Sequence, residues 1–480
     1  MSEPQPRPGA AIERLVLVHA GIFLVGTTWL FGGNAGWVRP YLAAWGTLGI
    51  ALTPFAAAAD ARRPGSARTL VVLWPFLLFN ALVLVSCLTP GFHRVQGTGG
   101  DLLALTPVPS WRPSAAVPTA ALAGLWLFDG IYLSSFNLLL AVRTRASLRG
   151  LAVLAVANAV VLSVFGTAQK LAGAQGPYFG LVRTPQKFFF SSFIYHNHWG
   201  SFAVLMAAAC LGLVVRQARR MRGQTFFRSS AMAGLVAVLF IAATPPLSGS
   251  RSCSALMVVL LGGAFLGWIA RVARKRTYLN ESPAPPILLA VVAVVAALAG
   301  IWYISRDTIE TRVAATEQQI SDLRAEGSLG QRSRLYGDTW LMARDRLWFG
   351  WGMASYPYVF PIYNSQDYPN PVDNLQNNYH DAHNDWLQSV AEHGVAGTVA
   401  AGLLALVPLS LLRGRPRPSP LSSYLFAGCG LIAAYAWVEF PFGNVAVVLC
   451  WWLCFFIALG YARLDSPARQ RGAQTQPPNP

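Results

Sequence analysis

The stretch "GVAGTVAAGLLALVPLSLL", residues 394–412, holds no charged residue. A helix needs about 20 apolar residues to cross the hydrocarbon core of a bilayer, and this run supplies them. It is followed by "RGRPRP" (413–418). It is preceded by "YHDAHNDWLQSVAEH" (379–393), which carries three of the chain's seven histidines. An apolar run that divides arginines from acids, amides and imidazoles reads as a membrane span. The arginines lie on the cytoplasmic side and the hydrogen-bonding chemistry on the other.

The same reading extends along the chain. Twelve apolar stretches are long enough to span: 15–32, 41–59, 69–88, 118–142, 150–167, 198–215, 230–247, 253–270, 287–305, 394–412, 421–439 and 444–462. Composition agrees. The 480 residues are 54% hydrophobic and only 12% charged, whereas soluble domains carry about 25% charge. The expected fold class is an all-α integral membrane protein of about 12 transmembrane helices. The first stretch lacks the flanks and the small-residue cleavage site of a secretory signal, and reads as a retained span.

With the N-terminus cytoplasmic, the inside loops are "ARRPGSAR", "RTRASLR", "RQARRMRGQTFFR", "RVARKR" and "RGRPRP". Every one is basic, as the positive-inside rule requires. That placement accounts for most of the net charge of +17 and argues against a nucleic-acid partner; membrane lipids take that place. Both termini then lie in the cytoplasm. The tails, 1–12 and 463–480, are polar and Pro-rich and are expected to be disordered, leaving 13–462 as the membrane domain. All six cysteines fall in or at the ends of apolar stretches, so neither disulfides nor a metal site is expected.

Three segments on the outer face exceed a tight turn. Residues 89–117 are rich in Gly, Pro and Thr and read as a capping loop. Residues 168–197 carry "TPQKFFFSSFIYHN". Residues 306–393 form by far the longest loop, between spans 9 and 10, and acids outnumber bases in it. Its start, 306–330, has helical apolar spacing and reads as an amphipathic helix on the membrane surface. A second helix, "RLYGDTWLMARDRLW", stops at "FGWG". Asp381 can cap a third helix starting near Ala382, which places His383 at the outer end of a bundle helix.

On these residues the chain resembles the bacterial O-antigen ligase and O-antigen polymerase family. "AHNDWLQSVAEHG" (382–394) is similar to its H-N-x-x-L-Q-x-x-x-E-x-G signature. "QRSRLYGDTWLMARDRLWFGWGMASY" (331–356) is similar to R-x-x-x-[WY] followed by (K/R)-D-x-P-x-x-G-x-G. "SGSRS" (248–252) resembles its S-R pair, and "FIYHNHWGSF" (193–202) its N-x-N-H-F-A segment. The matches run in family order over about 160–410. Leu347 replaces the usual proline, and Tyr195 replaces the first asparagine. Both Arg332 and Arg334 compete for one arginine position; Arg332 keeps the four-residue spacing to Tyr336 and is preferred. The resemblance implies a C-type glycosyltransferase architecture in the bacterial inner membrane. The donor it implies is a glycan on undecaprenyl diphosphate, accepted at the periplasmic face by lipid A-core or by another glycan, with no cofactor.

The residues suit that chemistry. A lipid diphosphate needs a cationic seat, and the arginine fork binds phosphate oxygens bidentately while staying charged. Arg251, Arg332 and Arg334 are the candidates, with Lys187 and His198 in support; the plainer role for each is an interfacial anchor or a solvated loop charge. The acceptor hydroxyl needs a base. Histidine titrates near neutral pH, and His383 is the choice over His380 and His393. Glu392 is expected to orient a base or neutralise an arginine. Direct attack with a diphosphate leaving group needs no covalent nucleophile and inverts the anomeric carbon. The outer loops carry no D-x-D triplet, so metal independence is expected. Asp129 sits mid-span, where an acid is costly; it pairs with a neighbouring helix or serves function. The outer aromatics, among them Phe189, Trp199, Trp348 and Tyr356, read as an interfacial belt. Ligase is the preferred activity and polymerase the alternative. A lipid-linked sugar transporter would call for inverted repeats, and no internal repeat of fixed period is present.

Overall fold

The computed structural model describes residues 9–61, 67–97, 100–184, 188–221, 228–292, 294–296, 299–300, 302–303, 306, 310, 331–365, 379–415 and 418–464. The chain is a helical bundle. Its helices are α1 (Ala10–Trp29), α2 (Arg39–Ala61), α3 (Ala67–Val71), α4 (Trp74–Cys87), α5 (Pro118–Ala141), α6 (Arg145–Leu171), α7 (His196–Ala218), α8 (Ser230–Ser248) and α9 (Arg251–Tyr278). A shorter apolar helix, α10 (Ala284–Ala296), follows. Then come α11 (Gln331–Asp345), α12 (Tyr356–Val359), α13 (Asp385–Leu409), α14 (Pro420–Tyr435) and α15 (Val445–Arg463).

Among the described residues, ten helices are long and apolar enough to cross a membrane, the α3–α4 pair counting as one. The other two expected spans correspond to α10 and α14. The 16 residues of α14 reach about 24 Å at 1.5 Å per residue, short of a ~30 Å core. The ninth expected span, 287–305, lies partly outside the described residues, as do the amphipathic helix expected over 306–330 and most of both tails. The capping loop at 89–117 contains the one sheet among the described residues: an antiparallel hairpin, β1 (Phe92–Gly97) with β2 (Gly100–Leu105), in which Val95 faces Leu102.

Two helices form the centre. α7 and α15 bury 83% and 94% of their apolar windows, against 17% for α9 and 28% for α2. The poorly buried helices therefore form the bundle's rim, where apolar side chains lose nothing by facing lipid. α7 packs on α8 and α14, and α15 on α5 and α14. The alanine-rich face of α7 (Ala203, Ala207, Ala208) lets its neighbours approach closely. Of the six cysteines, Cys87 is half-buried and the rest are buried.

A second, smaller core lies apart from the bundle. Leu335, Met342 and Ala343 of α11 pack with Trp351, Tyr356, Val359, Phe360, Ala382 and Ala391. This unit ties the 331–365 segment to the start of α13. The expected aromatic belt is thus only partly one. Phe189, Phe190, Trp199, Trp351 and Tyr356 are buried in the cores, while Trp348 and Tyr358 are exposed. Asp129 on α5 accepts a 3.0 Å hydrogen bond from Asn80 Nδ2 on α4, the helix-pairing alternative.

Candidate active site

The bundle has two chemically distinct ends. At one end α7, α9, α13 and α15 begin and α8 and α14 finish. The turn from Ala436 to Asn444, between α14 and α15, lies at its centre. Asp385 N donates to Ala436 O (2.9 Å) and Glu439 O (3.3 Å), and Phe442 N donates to Asp385 Oδ2 (2.8 Å). These bonds fasten the turn to the start of α13. The turn carries Glu439, whose side chain is 1% exposed.

Three donors converge on this buried carboxylate. His383 Nδ1 lies 2.6 Å from Oε1. Arg332 Nη2 lies 3.0 Å from Oε2, and Asn197 Nδ2 donates to the same oxygen at 2.7 Å. A buried carboxylate is tolerated only with such charge-assisted bonds. An ionised carboxylate can only accept, so against it His383 Nδ1 is the donor. The His383 side chain is 27% exposed and that of Arg332 55%, so both reach solvent from a fixed anchor. Burial opposes the charge on Arg332. Glu439, with smaller help from Tyr336 and Tyr195, outweighs it and holds the guanidinium pKa above its ordinary value.

Each neighbour is positioned by its own element. Arg332 and Tyr336 stand one turn apart on α11, which explains the four-residue spacing between them. Arg332 Nη1 also donates to Val438 O (3.3 Å), and Tyr336 Oη donates to His383 O (2.8 Å). Asn197 accepts from Ser250 Oγ (2.6 Å) and donates to Tyr195 Oη (2.9 Å). Phe440 packs edge-on against the rings of His383 (4.5 Å) and His198 (4.9 Å). His383 itself adopts φ 52°, in the left-handed region. A non-glycine residue there is strained. The Tyr336 bond to its carbonyl and the Glu439 bond to its ring hold it in place.

The helix after His383 starts three residues later than expected. Asn384, not Asp381, is the N-cap of α13, its side chain accepting from Leu387 N (3.0 Å). Asp381 is instead packed near Gly443. Burial raises its pKa above the usual carboxylate range, with His383 and Arg39 pulling the other way.

The remaining motif residues brace the site. Asn384, Gln388 and Glu392 fall at four-residue steps along α13. Gln388 Oε1 accepts from Ala382 N (2.9 Å), holding the loop that carries His383. Glu392 is 7% exposed. Its carboxylate accepts from Tyr356 N (2.9 Å) and Ala354 N (3.2 Å), which pins the 350–356 loop. It is committed to those amides and is not among the groups gathered on Glu439. The glycines of the two signatures meet. At Gly394 α13 is interrupted (φ 66°, ψ −176°), and a Cβ there would fall 2.3 Å from Trp348 O. At Gly350 (φ 67°) a Cβ would fall 2.4 Å from Glu392 O. Trp351 N donates to Ala391 O and Val395 N to Leu347 O across this crossing.

Of the other expected site residues, Arg251 is exposed in the first turn of α9, next in the chain to the Ser250 that bonds Asn197. Arg334 is two positions beyond Arg332, about 200° around α11 and off the Glu439 face. His198 is 2% exposed, with Nε2 3.2 Å from Phe440 O; it supports the turn from within rather than reaching a ligand from solvent. Lys187 lies outside the described residues. The residues missed by sequence reasoning are Glu439 and Asn197. Glu439 stood at the edge of an expected span, yet it is the only acid between Glu392 and Asp465. The argument applied to Asp129 applied to it with more force.

Residues 235–402 match the family model described as O-antigen ligase. The match takes in Arg251, Arg332 and His383 and leaves out Asn197 and Glu439. No curated protein shows significant similarity to the chain. Over those residues, about a third of its length, the chain is similar to the O-antigen ligase family.

Proposed function

We propose that the protein is an O-antigen ligase that transfers a glycan from undecaprenyl diphosphate to a hydroxyl of lipid A-core or a similar acceptor. The single observation that carries this reading is the sharing of Glu439. One buried carboxylate holds the imidazole of His383 and the guanidinium of Arg332 side by side, at 2.6 and 3.0 Å.

In this reading Glu439 fixes His383 with Nδ1 protonated, so that Nε2 takes the proton from the acceptor hydroxyl. The hydroxyl oxygen attacks the anomeric carbon as the bond to the diphosphate oxygen breaks. The electron pair of that bond leaves with the diphosphate, and the anomeric configuration inverts. Arg332 and Arg251 stabilise the charge on the departing diphosphate. The proton then passes from His383 to solvent. Cationic side chains do the work a divalent ion would otherwise do, so the reaction is metal-independent. Arg334 and Lys187 are auxiliary cations at most, and Glu392 and His198 act through the scaffold.

The site then lies on the periplasmic side of the inner membrane, with both termini cytoplasmic. α10 and α14 complete a twelve-span topology. The opposite end of the bundle supports this orientation, since its loops are uniformly basic.

Reconstitution of the full chain with an undecaprenyl-diphosphate glycan and candidate acceptors tests the reading. Glycan joined to lipid A-core, undiminished by EDTA, is the expected result. Extension of the glycan on its own carrier would make the protein a polymerase. Movement of intact donor across the bilayer without a new glycosidic bond would refute the enzyme reading.

A further inference from the structure

Arg332 sits in two roles at once. It is a cation suited to the donor diphosphate, and it is also the partner of Glu439 Oε2. The two roles compete for the same guanidinium. Glu439 cannot follow it, being 1% exposed and held by Asn197 and the backbone of its turn. Arg332 can move, because over half of its side chain is in solvent.

We infer that Glu439 is a donor-sensing positioning residue: when a lipid diphosphate draws Arg332 away from Oε2, the carboxylate charge is no longer shared with that cation and makes His383 a stronger base, Asn197 still holding Oε2. The inference rests on the reading of His383 as base and Arg332 as part of the diphosphate seat. Its consequence is order. Before the donor arrives, Arg332 shares the charge of Glu439 and His383 is the weaker proton acceptor. After the donor arrives, the base strengthens in the complex that needs it.

Of the charged and titratable groups nearby, His198 at the start of α7 and Asp381 in the loop interact with His383 directly. Tyr336 bonds its carbonyl, and Tyr195, His196, Asp385 at the start of α13 and Arg39 at the start of α2 act on those neighbours. Asn197 shares Oε2 with Arg332 but is neutral, so among the described partners of the carboxylate Arg332 is the permanent cation that a diphosphate can withdraw.

The test is a pH titration of the full-length protein in nanodiscs with ring-13C histidine, the His383 resonance being identified by its loss in His383→Gln. Adding undecaprenyl diphosphate should raise the His383 midpoint by about one pH unit, the size expected when a neighbouring cation is withdrawn. In Glu439→Gln that rise should largely vanish, whereas Glu439→Asp should keep it. If Glu439→Gln does not fold, Arg332→Gln serves: its midpoint without donor should already match the donor-bound wild type. An equal rise in Glu439→Gln would trace the effect to the diphosphate itself and overturn the inference. So would an Arg332→Gln midpoint equal to that of the donor-free wild type. The parent reading is checked separately. If His383→Ala still transfers glycan, both readings fall. If that variant is inactive and the wild-type midpoint does not move, only the sensing role falls.

Discussion

The two ends of the bundle are built from similar charges and do different things. At one end Asp60 of α2 is fully buried with Arg143 3.9 Å away. Around it the arginines are spent on structure. Arg463 donates to Thr69 Oγ1 (2.9 Å), Arg415 to Arg463 O, and Arg216 to Tyr461 Oη (2.6 Å), while Arg145 lies over the Tyr461 ring at 4.6 Å. At the other end the buried acid is Glu439, and its partners are an imidazole and a guanidinium that both reach solvent. A buried carboxylate among arginines makes an anchor. The same group holding one nitrogen of a histidine leaves a ring that is fixed and still reaches solvent. The presence of an imidazole partner that reaches solvent, not the presence of buried charge, separates the two ends.

Substitutions at each end can break this contrast. The largest effect is expected from His383→Ala, which should slow glycan transfer by about 10²–10⁴-fold, the usual worth of a general base. The variant should insert normally; full transfer in the reconstituted assay would remove the base. Next, Arg332→Ala should cost about 10²–10³-fold in turnover, the range for losing one charge-stabilising donor, while Arg334→Ala should stay near wild type. A reversal of that order would move the diphosphate seat to the other face of α11. Gly394→Ala should cost about 1–3 kcal/mol, because it puts a side chain where φ is positive and Trp348 O is already in contact. Thermal unfolding in detergent checks this. The smallest catalytic effect is expected from Asp60→Asn, which should lower expression or thermal stability and leave turnover per inserted molecule unchanged. A turnover loss matching that of the Glu439 end would dissolve the contrast.

Much of this was legible in the sequence, for physical reasons that can be named. The long apolar runs gave away the helical bundle, because lipid accepts few charges. His383 and Arg332 were legible because motif spacing survives without coordinates. What could not be read was which motif residues gather on the buried carboxylate and which brace the loops around it. Gln388 and Glu392 look as chemical as His383 in a sequence, yet the first holds Ala382 N and the second caps a loop. Arg332 and Arg334 differ by half a helical turn, which only a placed helix resolves. Glu439 was hidden by the hydrophobicity of its own neighbours, "AAYAWVEFPF". Its importance comes from three partners that lie 56, 107 and 242 positions away.

A double-mutant cycle on transfer rate tests the centre of the account, that Glu439 works through His383. Rates of the wild type, Glu439→Gln, His383→Ala and the double variant are compared in the same reconstituted membranes. Residues that act as a unit show strong non-additivity. The account predicts that the double variant is about as slow as His383→Ala alone. A double variant slowed by the product of the two single losses would contradict it.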